Sequence, residues 1–173
     1  MKFQKQVKQQ KKLTSSLQII ASGPEGVYQT LKIMKQLVRA GKKDIVVRSK
    51  ALELTRNLNQ KDWLGEVKSL HRFVRDNIRY IKDIRDVETV AYPDITLQQG
   101  QGDCDDKSVL LASLLESIGH PTRFVAVGFR PHNYSHVYLE TKIGNTWLGL
   151  ETTEPVEVGW QPKGVMARME IFN

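Results

Sequence analysis

An α+β domain is what this 173-residue sequence predicts, with helices in the first two thirds and strands in the last. Three observations carry that expectation. Apolar residues recur at helical spacing as far as residue 78; a helix over 103–118 is apolar around most of its circumference; and after Pro121 the period changes from 3.6 to 2. Helices first and strands later imply a central helix packed on one face of a small antiparallel sheet.

The elements follow in chain order. The opening MKFQKQVKQQKK is polar and basic and cannot bury enough apolar area to offset the entropy of ordering it, so residues 1–22 are expected to form a mobile basic arm ahead of a single domain over 23–173. Val27, Leu31, Met34, Leu37 and Val38 mark a helix over 26–40 that Gly41 stops. Val47, Ala51, Leu54 and Leu58 share one face of a second helix over 44–58. A third runs from Asp62, as N-cap, to about Ile78, with Trp63, Val67, Leu70, Phe73, Val74 and Asn77 along its stripe. Residues 80–101 lose periodicity, contain Pro93 and end in QQGQGD, which predicts a surface loop. The central helix 103–118 closes on Gly119 and Pro121. TRFVAVGF, SHVYLETKI and TWLGLETT then read as strands, the last two joined at Gly144-Asn145.

Composition sets the outer limits. With 40% hydrophobic and 26% charged residues the chain is of ordinary globular type, neither collagenous nor disordered throughout. No apolar run approaches the roughly 18 residues of a spanning helix and no secretory signal follows the basic start, so no membrane span and a cytoplasmic location are expected. The net charge of +7 is uneven: residues 1–50 hold 12 Lys/Arg against 2 Asp/Glu, whereas residues 51–173 hold 14 against 17. Such a basic segment suits an anionic partner (nucleic acid, a membrane surface or an acidic protein), or is a solvated tail.

The single cysteine, Cys104, excludes an intramolecular disulfide and a multi-thiolate metal site. It is either a packed small hydrophobe or a reagent. Its place in GDCDDKS, at the first turn of the central helix, suits a reagent, because a helix N-terminus stabilises thiolate and its N–H groups, chiefly that of Cys104, can hold an oxyanion, but the local sequence suits a packed, inert cysteine equally. Asp103, Asp105 and Asp106 oppose ionisation, so an imidazolium must support it. Of four histidines, His71 and His120 read as structural and His132 as a loop residue. His136 opens a strand, which fixes its direction, and is the partner of choice. A two-residue turn at Gly144-Asn145 puts His136 opposite Thr153 and Tyr138 opposite Glu151, so Glu151 lies diagonal to the histidine on one face and can orient its ring. Thr153 is the alternative orienter, and Glu140, farther along that face, reads as a salt-bridging strand residue.

The order IRYIKD, GDCDDKSVLLASLLESIGHPTRFVAVGF, SHVYLE and TWLGLETT resembles the transglutaminase-like superfamily of papain-fold cysteine enzymes, over about residues 70–155. The resemblance implies a papain/transglutaminase-like core with Cys104 as nucleophile, His136 as general base and acid, and Glu151 as orienter where the family usually has Asp. Tyr80 and Arg123 match the pattern as packing residues. Gln98, Gln99 and Gln101 precede Cys104 and are either solubilising loop residues or the source of a second oxyanion donor, for which Gln98 has the papain-type spacing. The implied reaction is acyl transfer through a thioester on a protein or peptide substrate, hydrolytic first and to an amine second. A catalytically inactive assembly module, as in a bacteriophage particle, is the other expectation, and with it a virion-associated location. No metal or organic cofactor is implied.

Overall fold

The structure is a computed structural model and describes residues 23–82 and 90–173; the expected basic arm, 1–22, lies outside the described residues. Three helices come first. Helix α1 (Pro24–Gly41) starts on a proline, whose missing N–H costs nothing at a helix start, and buries Leu31, Met34 and Val38. Helix α2 (Ile45–Thr55) is capped by Asp44, which accepts from the N–H groups of Val46 and Val47. Helix α3 (Trp63–Asn77) is capped by Asp62 and buries Val67, Leu70, His71 and Val74.

The segment expected to be a loop contains two further elements. Strand β1 (Arg79–Tyr80) pairs in parallel with β2 (Gln101–Gly102), so the end of α3 is tied to the residues just before Cys104. Between them lies α4 (Pro93–Gln99), and the loop expectation is corrected there. Pro93 starts this helix instead of breaking it, and Gly100, at φ 65°, ends it in the left-handed conformation with its N–H on the Thr96 carbonyl.

Helix α5 (Cys104–Ser117) is the centre of the molecule. Val109, Leu110, Leu111, Ala112, Leu114 and Leu115 are fully buried within it. Helices α1 to α4 pack around it, and its remaining side meets the sheet. That sheet has the order β5-β4-β3-β6, all antiparallel, from β3 (Thr122–Gly128), β4 (His136–Ile143), β5 (Thr146–Leu150) and β6 (Ala167–Phe172). Phe124, Ala126, Val137 and Leu139 join the core that includes α5, while Val125, Val127 and Tyr138 form a second cluster with Val165. The hairpin register is Ile143 opposite Thr146 and Leu139 opposite Leu150.

Contact at the centre is close. A Cβ on Gly41 would fall 2.3 Å from Pro93 Cγ and 2.6 Å from Ser113 Oγ. Only glycine lets the end of α1 approach α4 and α5 this nearly. On the sheet, Glu140 is fully buried yet paired: Arg123 donates to Oε2 at 2.7 Å and Arg168 to Oε1 at 2.8 Å, while the Arg123 guanidinium lies 4.5 Å from the Trp147 ring centre. A buried carboxylate needs such donors to offset its lost hydration.

Candidate active site at the start of the central helix

Cys104 is the first residue of α5. Asp103, the N-cap, accepts from the N–H groups of Asp105 (2.9 Å) and Asp106 (3.0 Å), while the Asp106 carboxylate accepts from the Asp103 N–H, a reciprocal capping box. The cap takes the second and third helical N–H groups and leaves that of Cys104. Asp106 also accepts from the Ala91 N–H at 2.8 Å, so the approach to α4 is fastened to the helix that carries the thiol.

The thiol is in an acidic, half-buried setting. Burial is the largest influence and, with the Asp105 and Asp103 carboxylates, pushes the Cys104 thiol far up, against a lowering contribution from the Val137 N–H that hydrogen-bonds the sulfur. Sγ lies 3.5 Å from Asp105 Oδ1. The sequence sets a helix start that favours thiolate against adjacent aspartates that oppose it; in this state burial and the Asp105 and Asp103 carboxylates hold the thiol up. Among the described residues the sulfur's hydrogen-bond partners are Asp105 and the Val137 amide, and the imidazole is not one of them.

His136 sits immediately before Val137, at the first position of β4. Its Nε2 is 2.6 Å from Glu151 Oε2. Glu151 is 1% exposed, and its other oxygen accepts from the Thr153 N–H and hydroxyl, both at 2.7 Å. Burial alone would raise this carboxyl, but the His136 ring and the two Thr153 donors outweigh it and hold Glu151 below the ordinary carboxylate value. Tyr138 stacks beyond the imidazole, with centroids 6.5 Å apart. Thus the structure brings His136, Glu151 and Thr153 together. Thr153 touches the carboxylate, not the ring.

The remaining sequence candidates lie elsewhere. Gln98 is exposed on α4, while Gln101 uses its Oε1 to accept from Arg79. His132 is exposed at φ 58°, and His120 contacts Glu66 at 2.7 Å. Asp103, Cys104 and Asp105 offer donor atoms within 4.8 Å of one another, but Asp103 Oδ1 already serves the cap.

Two buried polar residues adjoin the site, His71, which the sequence reads as structural, and Lys107, which it does not single out. His71 is buried, and its Nε2 meets the main-chain carbonyl of Glu151. Lys107, 2% exposed, donates to the carbonyls of Ile78 (2.7 Å) and Arg75 (3.4 Å) at the end of α3. Burial lowers its ammonium to about 8. The available signal was a lysine, the single basic residue of α5, set just before the apolar run Val109–Ala112. A cleft of about 360 Å³ is lined by Arg79, Tyr80, Lys107 and Thr153 among others, but not by Cys104, His136 or Glu151.

A family model for the transglutaminase-like superfamily matches residues 49–152, well over half of the chain. The protein belongs to the transglutaminase-like superfamily. Two solved structures share the fold of this superfamily member. A "putative protease" from Parabacteroides distasonis is 15% identical with a TM-score of 0.60, over 72% of this chain and 26% of that one. A "putative cysteine protease" from Cytophaga hutchinsonii is 17% identical with a TM-score of 0.51, over 73% and 46%. The chain thus spans about a quarter and under half of their respective lengths. No curated protein matches it. No described helix is long and apolar enough to cross a membrane.

Proposed function

We propose that this superfamily member is a cysteine-dependent acyl-transfer enzyme of peptidase or amidase type, with Cys104 as nucleophile, His136 as base and acid, and Glu151 as orienter. The observation that carries the reading is the 2.6 Å contact between His136 Nε2 and a buried Glu151 carboxylate, at the strand position next to the amide that touches the sulfur. With Nε2 held by Glu151, Nδ1 is the ring atom that takes the thiol proton as Sγ attacks the acyl carbon. The oxyanion is held by the Cys104 N–H, with the Gln98 amide as second donor in this reading. The imidazolium then gives its proton to the departing amine, the carbon–nitrogen bond breaks, and a thioester remains on Cys104. His136 next deprotonates water, which adds to the thioester, and returns that proton to the sulfur. Burial and the adjacent carboxylates keep the resting thiol protonated, so ionisation is coupled to substrate binding.

Intact-mass analysis during turnover of a peptide p-nitroanilide library tests this. The expected result is an acyl adduct on the wild type that is absent from Cys104→Ala, with free acid as product; an amide product in the presence of an added amine would instead make it a transglutaminase. Absence of adduct and turnover, with folded protein, would leave the inactive assembly module.

A further inference from the structure

The hydrogen-bond ladder between β4 and β5 ends at the pair Leu139–Leu150, one residue short of Glu151. The sheet therefore does not hold the residue whose carboxylate meets His136. A glutamate has one more rotatable bond than an aspartate, and each added torsion widens the positions its carboxylate can reach. Something besides the strand has to fix it.

Helix α3 supplies that hold at two positions four residues apart, hence on one face. His71 Nε2 meets the Glu151 carbonyl. One turn on, Arg75 Nη1 donates to the Val156 carbonyl and to Glu157 Oε1, each at 2.8 Å. A carbonyl only accepts, so Nε2 of His71 carries the proton. Burial, the largest influence, lowers the His71 pKa despite the raising effect of the carbonyl and of Glu157 and Glu151, with Arg75 adding to the lowering. The ring thus donates as a neutral imidazole and adds no cation to compete with His136 for the carboxylate.

We infer that His71 is a positioning residue: from α3 it pins the main chain of Glu151, while Thr153 pins Oε1, and together they set where Oε2 meets His136. The inference rests on reading Glu151 as the orienter of His136. His71 touches no reacting atom and acts only through Glu151.

The test uses four variants and two readouts. His71→Leu removes the donor at similar volume; His71→Gln keeps an N–H at about the reach of Nε2; His71→Asn keeps an amide that falls short; and Glu151→Gln serves as the background for a double-mutant cycle. The first readout is the downfield imidazole N–H proton of the His136–Glu151 hydrogen bond, followed by NMR with ring-labelled histidine. This signal should be lost or broadened in His71→Leu and His71→Asn and kept in His71→Gln. The second is steady-state kinetics, where His71→Leu should lower kcat about 10- to 100-fold with KM unchanged, as a small misplacement of a catalytic group does. In the Glu151→Gln background the same change should add nothing further. If His71→Leu does not fold, the contrast between His71→Gln and His71→Asn decides. A signal that survives in folded His71→Leu or His71→Asn, equal behaviour of Gln and Asn, or additive losses in the cycle would overturn the inference. Because the NMR readout reports a hydrogen bond and not turnover, it judges His71 even if Cys104 proves inert.

Discussion

Asp105 stands next to the thiol, and the electrostatics of that one neighbour are open to direct measurement. In the native protein Cys104 should alkylate with iodoacetamide only well above the pH of about 8.5 at which a free thiol half-ionises. Asp105→Asn removes a carboxylate 3.5 Å from the sulfur and should move the alkylation profile to lower pH. An unchanged profile would mean that burial and Asp103 hold the proton without Asp105. The carboxylate of Glu151 works in the opposite sense. Its pKa is depressed below the ordinary 4.5 by His136 and Thr153, so its stabilising effect is full above about that pH and is lost as pH falls through the lower folded value. Glu151→Gln should erase that acid-side dependence in denaturant titrations and reduce kcat by about 10³-fold or more with little change in KM. A fall in binding alone would show that it contacts substrate instead of the imidazole. At this scale the meeting of His136 and Glu151 was legible from a strand start and a hairpin count, and the place of Cys104 at a helix start from its motif, although no hydrogen bond among the described residues joins the sulfur to His136. What stayed hidden was the packing around the sulfur, because sequence order gives the adjacent carboxylates but not how deeply the thiol is buried or that it meets the Val137 amide and not the imidazole.

Between elements, the ammonium of Lys107 ties α5 to the last carbonyls of α3, and its pKa of about 8 against an ordinary 10.5 makes that tie measurable. A folded pKa below the unfolded one means that the unfolded chain binds more protons, so the contribution to stability rises with pH between those values. Relative to Lys107→Met, which cannot titrate, the wild type should gain about 3 kcal/mol between pH 7 and pH 11, the order of magnitude given by the shift. A constant difference would mean that the amine is hydrated. Helices α1, α2, α3 and α5 and strands β3 to β5 were legible from their apolar patterns, and α3 also from its cap Asp62. Helix α4 was not, since it spans seven residues and its proline reads equally as a stop. Strand β6 carries Arg168 and Glu170 and buries no residue completely, so its signal is that of a charged edge. Strands β1 and β2 have two residues each, too short for any period.

Across the whole molecule the charge divides into +10 over residues 1–50 and −3 over the rest, while the candidate site draws every reacting group from 104–151. Deleting the residues before Leu13 should weaken salt-sensitive association with an anionic polymer such as heparin and leave turnover of a small amide intact; Cys104→Ala should do the reverse. Loss of turnover on deletion would place the basic segment within the catalytic unit.

Gly41 belongs to neither the charge nor the chemistry, yet it bears on how this protein would look to a geneticist. Any side chain there must displace Pro93, and with it α4 and the strand that leads into Cys104, or else Ser113 in the middle of α5. In a selection for turnover, position 41 would tolerate almost no replacement and would score beside the nucleophile. A map of intolerance drawn without the structure would therefore assign to the reaction a residue whose only office is to leave room.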